Sequence, residues 1–130
     1  MTEGIRFLSV ENVVELQRRT LEREGGSPGI RDRGLLESAV ASARQSFGGE
    51  MLHPDVASMA AAYLYHLVKN HPFVDGNKRA GALSLLFFLR MNAPRLMPGP
   101  DELEKVTLSV AEGSLSKNEL ITWLRSLETP

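Results

Sequence analysis

Apolar residues in this chain recur mostly at intervals of three and four, the period of a helix with one buried face, and seldom alternate as strand residues do. Val10, Val13, Val14 and Leu21 mark a first helix. It is closed by Gly25-Gly26 and Ser27-Pro28-Gly29, because paired glycines and a proline remove helix propensity and a backbone donor. Ahead of it, Ile5 to Val10 alternate loosely and read as an extended lead-in or edge strand. Asp32 is placed to cap a second helix whose face is Leu35, Leu36, Ala39, Val40 and Ala43, running to a glycine stop at Gly48-Gly49. Pro54 opens a third at the first helical position, where its missing N–H costs nothing. Its stripe is Val56, Ala60, Tyr63, Leu64 and Leu67, and it should end near Asn70, since His71 precedes a proline and is steered away from helical dihedrals.

From Asn77 to Met91 the chain is apolar around most of its circumference, as expected of the central helix of a bundle. Pro94, Pro98 and Pro100 form a connector, Asp101 is placed to cap a fifth helix ending at Gly113, and Ser116 with Glu119 forms a capping box opening a sixth. Six helical segments against one weak strand predict an all-α, compact six-helix bundle around a central buried helix, in a single domain over residues 1–130.

Composition narrows the function classes. The 15 Lys and Arg residues against 16 Asp and Glu give a net charge of −1, without the basic excess that phosphate contacts to nucleic acid require, so no direct nucleic-acid partner is expected. The chain has 0 cysteines, which excludes a disulfide framework, a thiolate metal site and a cysteine nucleophile. No stretch approaches the roughly 20 apolar residues of a membrane span, and the N-terminus carries no secretory pattern, so a cytoplasmic protein is the expectation.

The chemistry concentrates in His71-Pro72-Phe73-Val74-Asp75-Gly76-Asn77-Lys78-Arg79, a loop that runs into the start of the fourth helix. A helix start aims unpaired N–H groups and a partial positive charge at whatever lies before it, which suits phosphate oxygens. Gly76 allows close approach of that backbone, Asn77 offers an amide, and Lys78 and Arg79 add two cations. Asp75 is the nearby hard oxygen ligand, and one carboxylate with waters and substrate phosphates is how Mg²⁺ ordinarily sits in phosphoryl-transfer sites. Imidazole exchanges a proton near neutral pH, which makes His71 the candidate general base. Phe73 is expected to plug the loop into the core. Gly81, inside the fourth helix, points to close helix packing or to close approach of a ligand, with packing the favoured reading. His53, His66 and His71 have poor spacing for a zinc trio. Taken singly, each of these residues would more often be a cap or a solvated side chain; their order in one loop outweighs that.

The stretch HPFVDGNKR resembles the signature motif of the Fic/Doc superfamily, in the spacing of its Doc-type toxins, where Lys and Arg directly follow Asn. IRDRGLLESAV upstream and GSLSKNELITWLRSLE downstream are similar to Doc segments as well, so the resemblance covers most of the chain. It implies a Fic-like bundle and a toxin of a toxin–antitoxin system. The implied activity is protein kinase chemistry, with ATP as co-substrate and Mg²⁺ as cofactor, moving the γ-phosphate to a threonine or serine hydroxyl of a translation factor, elongation factor Tu. By the same resemblance His71, Asp75, Lys78 and Arg79 are catalytic, Gly76, Asn77, Lys78 and Arg79 bind the nucleotide phosphates, and Asp75 holds the metal. The AMP-transferring members carry glycine where this chain has Lys78 and a second arginine where it has Ala82, so AMP transfer is the alternative reading. A catalytically silent binding module on the same fold is another. The self-inhibitory motif of some Fic proteins fails here, because Leu108 stands four residues before Glu112-Gly113. A Phd-like antitoxin is therefore the implied partner.

Overall fold

The computed structural model describes residues 4–128. Its helices are α1 (Val10–Glu24), α2 (Arg33–Ala41), α3 (Val56–Asn70), α4 (Asn77–Asn92), α5 (Pro100–Glu112) and α6 (Lys117–Ser126), with one hairpin, β1 (Ser46–Phe47) and β2 (Glu50–Met51), between α2 and α3. The all-α reading therefore holds for the described residues, and each of the six expected helices is present. Side chains cap most of the starts. Ser9, Asp55 and Ser116 form capping boxes with Asn12, Ser58 and Glu119, and Asp32 accepts from the Leu35 N–H.

Five details differ from the sequence reading. Residues 5–9 form no strand; side chains meet their backbone instead. Asn92 bonds both the N–H and the carbonyl of Arg6, at 2.9 and 3.0 Å, and the Leu8 N–H donates to the Tyr63 hydroxyl at 2.9 Å. Gly48-Gly49 does not stop α2. Both glycines have positive φ, 60° and 84°, and turn the hairpin that pairs Ser46 with Met51 and Phe47 with Glu50, while α2 gives way after Ala41 to a 3₁₀ turn through Arg44. Pro54 precedes α3 rather than opening it, since the Asp55 side chain takes the cap. Asp101 lies within the first turn of α5, because Pro100 occupies its first position behind Gly99. The helix buried on most sides is α3, not α4: its run from Ala57 to Leu64 is buried throughout, because small alanines let neighbours approach from every direction.

α4 lies along α3, and Gly81 meets it in close contact. A Cβ there would stand 3.0 Å from Val68 Cγ2 and 3.2 Å from the Leu64 carbonyl, so the expectation of close packing is met. Phe88 of α4 packs on Tyr63 of α3 with ring centroids 5.1 Å apart, and Phe7 closes on it from the lead-in. Phe73 is 1% exposed, so the motif loop is plugged into the core as expected. No helix among the described residues is long and apolar enough to cross a membrane.

α6 is fastened to α3 by two basic groups. Lys117 Nζ lies 2.9 Å from His66 Nε2, and the Arg125 guanidinium bridges to Asp55 at 2.9 Å. Burial, with Lys117 and His53 nearby, pushes His66 down to about 4, so it stays neutral and accepts from the lysine. Burial lowers His53 in the same direction; the acid beside it, Asp55, is already paired with Arg125. An unfolded chain protonates His66 near pH 6.5 and the folded one only near pH 4, so stability present above pH 6.5 is lost as pH falls toward 4. Urea titrations at pH 7 and pH 5 should differ by on the order of 2 kcal/mol, and His66→Asn should shrink that difference. Equal stability at the two pH values in the parent would show that His66 is not held neutral.

Candidate active site

The site is built where a strap, residues 25–32 between α1 and α2, embraces the loop between α3 and α4. The Val74 N–H donates to the Gly29 carbonyl at 3.0 Å, the N–H groups of Arg31 and Asp32 both donate to the Pro72 carbonyl, and Ile30 forms an antiparallel bridge with Phe73. The loop's own fastener is Asn77. Its side chain is buried, its Oδ1 accepts from the Phe73 N–H at 2.9 Å and its Nδ2 donates to the Phe73 carbonyl at 3.0 Å. Both polar atoms of the amide are thus used within the loop, and what Asn77 turns toward the cleft is its backbone N–H.

His71 ends α3 in the left-handed conformation, φ 51° and ψ 54°, the one non-glycine among the described residues with positive φ. That backbone costs a residue with a Cβ about 1–2 kcal/mol. Pre-proline sterics keep His71 out of the helix as expected, but toward the left-handed side rather than the extended one. Gly76, φ 77°, supplies the second reversal; a Cβ on it would stand 3.3 Å from Thr20 Oγ1 of α1, so the helix start can sit against α1 only without a side chain. Gln17 of α1 donates to the Asp75 carbonyl at 3.1 Å from the same side.

α4 begins with neither a side-chain cap nor a proline, unlike the other described α-helices. Its first-turn N–H groups, from Asn77, Lys78 and Arg79, have no intrahelical acceptor and are left for an anion. They open on a cleft of about 370 Å³ lined by His71, Asp75, Gly76, Asn77, Lys78 and Arg79, with Val68 and Ala111 as its apolar wall. All six residues expected from the sequence are thereby brought together.

Asp75 is exposed, and its carboxylate accepts the Ser27 N–H at 3.2 Å and the Gly76 N–H at 2.9 Å. Those two bonds, with help from Arg79 and His71, hold it below the usual carboxylate range. It is charged at neutral pH and keeps outward lone pairs, a donor fit for Mg²⁺ shared with substrate phosphates. No group of three or more His, Cys, Asp or Glu able to cage a metal occurs among the described residues, so a cation here would draw its other ligands from substrate and water. Lys78 makes no ion pair among the described residues, whereas Arg79 Nε meets Glu24 Oε1 of α1 at 2.9 Å. Both partners are about half exposed, 47% and 50%, so the pair is screened and weak enough for a phosphate to displace. Glu24, Ser27, Gln17 and Arg31 were not foreseen as parts of the site. Arg31 lies in a segment similar to Doc proteins; the other three carry no local signal.

These features define a helical bundle whose loop and helix start open on a cleft between a histidine and a carboxylate. Residues 7–89 match the model of the Fic/DOC family, and the chain belongs to it. Its curated relatives include "Protein kinase doc" of Escherichia phage P1, 32% identical over 123 residues, which are 95% of this chain and 96% of that protein. Another is "Toxin Doc" of Mycolicibacterium smegmatis, 40% identical over 72 residues, 55% of each chain. The similarity is thus to the Doc members of the family, as HPFVDGNKR implied.

Proposed function

We propose that this chain is the toxin of a toxin–antitoxin pair and a protein kinase that moves the γ-phosphate of ATP to a threonine or serine hydroxyl, with a threonine of elongation factor Tu as the acceptor that the resemblance implies. The observation that carries the reading is the cleft itself: an uncapped helix start, two cations, a charged carboxylate and one histidine converge on a single space the size of a polyphosphate. The name of the phage relative, a protein kinase similar over nearly its whole length, supports the same class.

In this reading the N–H groups of the first turn of α4 bind the phosphate chain, and Lys78 and Arg79 neutralise its charge. Arg79 exchanges the Glu24 carboxylate for a phosphate as the nucleotide enters. Asp75 would hold Mg²⁺, which when bound supplies charge neutralisation on the phosphates. His71 takes the proton from the acceptor hydroxyl as its oxygen attacks the γ-phosphorus, and the bond to the β-phosphate oxygen breaks. Positioning and charge stabilisation carry most of such a reaction, which is why the site is assembled on a helix start and braced by a strap. Lys78 fills the place that AMP-transferring relatives leave open, and Ala82 stands where they carry a second arginine, so the nucleotide presents its terminal phosphate to His71.

A Phd-like antitoxin is the proposed inhibitor. Beside Arg79 a groove of about 340 Å³ runs between α1 and α4, with Leu16, Leu83 and Phe87 on its floor and Arg19 and Arg23 at its rim. Its chemistry fits an amphipathic segment with acidic residues, which would bar the cleft from the side.

Purified protein incubated with ATP labelled at the γ- or the α-phosphate, in a translation extract, tests the reading. Label is expected from γ-labelled ATP alone, with about 80 Da added to the acceptor. Lys78→Gly should lose most of that transfer and gain weak AMP transfer. Label from α-labelled ATP with the parent protein would replace the kinase reading with nucleotidyl transfer, and no label from either would favour a silent binding module.

A further inference from the structure

The end of α3 lacks a donor, and the chain supplies it from elsewhere. A helix ending in a left-handed residue is ordinarily closed by N–H groups of the residues that follow. Here the residue after His71 is Pro72, which has no N–H to give. The donors come from Arg31 in the strap: its Nε donates to the His71 carbonyl at 2.7 Å, and a terminal nitrogen donates to the Asn70 carbonyl at 3.0 Å. The main chain that carries it is fixed on the same turn, since the Arg31 N–H donates to the Pro72 carbonyl at 2.7 Å. Three successive carbonyls, of Asn70, His71 and Pro72, are therefore held by one residue. Arg31 makes no ion pair with a carboxylate among the described residues, so its fork is committed to this backbone.

Two opposed preferences meet at His71. A residue before proline is driven toward extended dihedrals by the proline ring, yet His71 sits at φ 51°. The planar guanidinium reaches two adjacent carbonyls at once, which a lysine ammonium on a flexible stem cannot reproduce. We infer that Arg31 is a positioning residue for His71: it clamps the end of α3 in the left-handed turn from which the imidazole is presented to the cleft, without itself touching nucleotide or acceptor. The inference rests on the proposed role of His71 as the base.

Without the guanidinium, water can solvate the freed carbonyls, because the clamp lies at the surface. The chain should then fold as before, and His71 should relax toward the extended region. A catalytic group displaced by about 1 Å loses on the order of 100-fold in rate, while the phosphate contacts at the start of α4 are unaffected. Arg31→Ala is therefore expected to lower kcat by about 10- to 100-fold with KM for ATP within about twofold. Arg31→Lys should fall between the two.

The test pairs steady-state γ-phosphate transfer with the ¹³Cα and ¹³Cβ shifts of His71, which report left-handed against extended backbone without any need for turnover. In Arg31→Ala the His71 shifts should move to extended values. Guanidinium ion, added far below denaturing concentrations, should restore both the shifts and part of kcat. His71 shifts unchanged in Arg31→Ala overturn the inference whatever the activity. Shifts that move while kcat stays within about twofold of a catalytically active parent overturn it too, since catalysis then does not use the geometry that Arg31 fixes. A parent protein that moves no γ-phosphate sinks the kinase reading, and the clamp then stands or falls on the shifts.

Discussion

His71→Ala is expected to lose γ-phosphate transfer by about 10²–10⁴-fold, the usual contribution of a positioned base, and with it the arrest of growth on expression. The imidazole is exposed and the core does not depend on it, so circular dichroism and the thermal midpoint should match the parent. His71→Gly sharpens the point. Glycine adopts φ 51° without the penalty a Cβ carries, so this variant should be as inactive as His71→Ala while more stable by up to about 1 kcal/mol. A residue that makes the protein both less stable and active is the pattern expected where strain is kept for function. If folded His71→Ala still arrested growth, another group would have to take the hydroxyl proton.

Asn77→Ala is expected to fail in a different way. Its amide satisfies the N–H and the carbonyl of Phe73, both in the buried part of the loop. Each group left without a partner costs about 1–3 kcal/mol, so the variant should lose about 2–6 kcal/mol and on the order of 10 °C or more in thermal midpoint. Transfer should fall at least about 100-fold even at temperatures where the variant remains folded, because the loop that spaces His71 from the start of α4 is no longer locked. Asn77→Asp keeps the acceptor for the Phe73 N–H but sets a carboxylate against the Phe73 carbonyl, and should be no better. A variant as stable as the parent that has lost only ATP affinity would instead make the Asn77 side chain a direct phosphate ligand. The two substitutions together separate chemistry from scaffolding: one removes activity alone, the other activity and stability at once.

Much of the bundle is legible in the sequence because its signals are local. Asp32, Ser116 with Glu119, and Gly113 act within one helical turn of the boundary they mark, so the pattern of neighbours suffices to find them. The errors fall where one local signal has two outcomes. Gly48-Gly49 can stop a helix or turn a hairpin, and only the strand pairing of Ser46 with Met51 chooses. The loose alternation of residues 5–9 would need a neighbouring strand to become one. The neighbours it has are Tyr63 and Asn92 side chains, 55 and 86 residues away.

The candidate site divides along the same line. HPFVDGNKR by itself places a histidine, a carboxylate, a glycine and two cations within nine consecutive residues that lead into a helix; that their side chains line one cleft is the work of the folded loop. The motif also offers Phe73 as the plug, its one Phe, Tyr or Trp and the largest apolar surface the loop has to bury. What the tertiary structure alone decided is how that loop is held. Gln17 reaches Asp75 across 58 positions, Ser27 reaches it across 48, and Arg31 reaches His71 across 40. Asn77 turns its amide inward to Phe73, although its place at a helix start would equally suit a phosphate ligand. Hydrogen bonds between residues this far apart leave no periodicity and no composition for a sequence to display, because they depend on which surfaces the packed helices bring within 3 Å or so of one another.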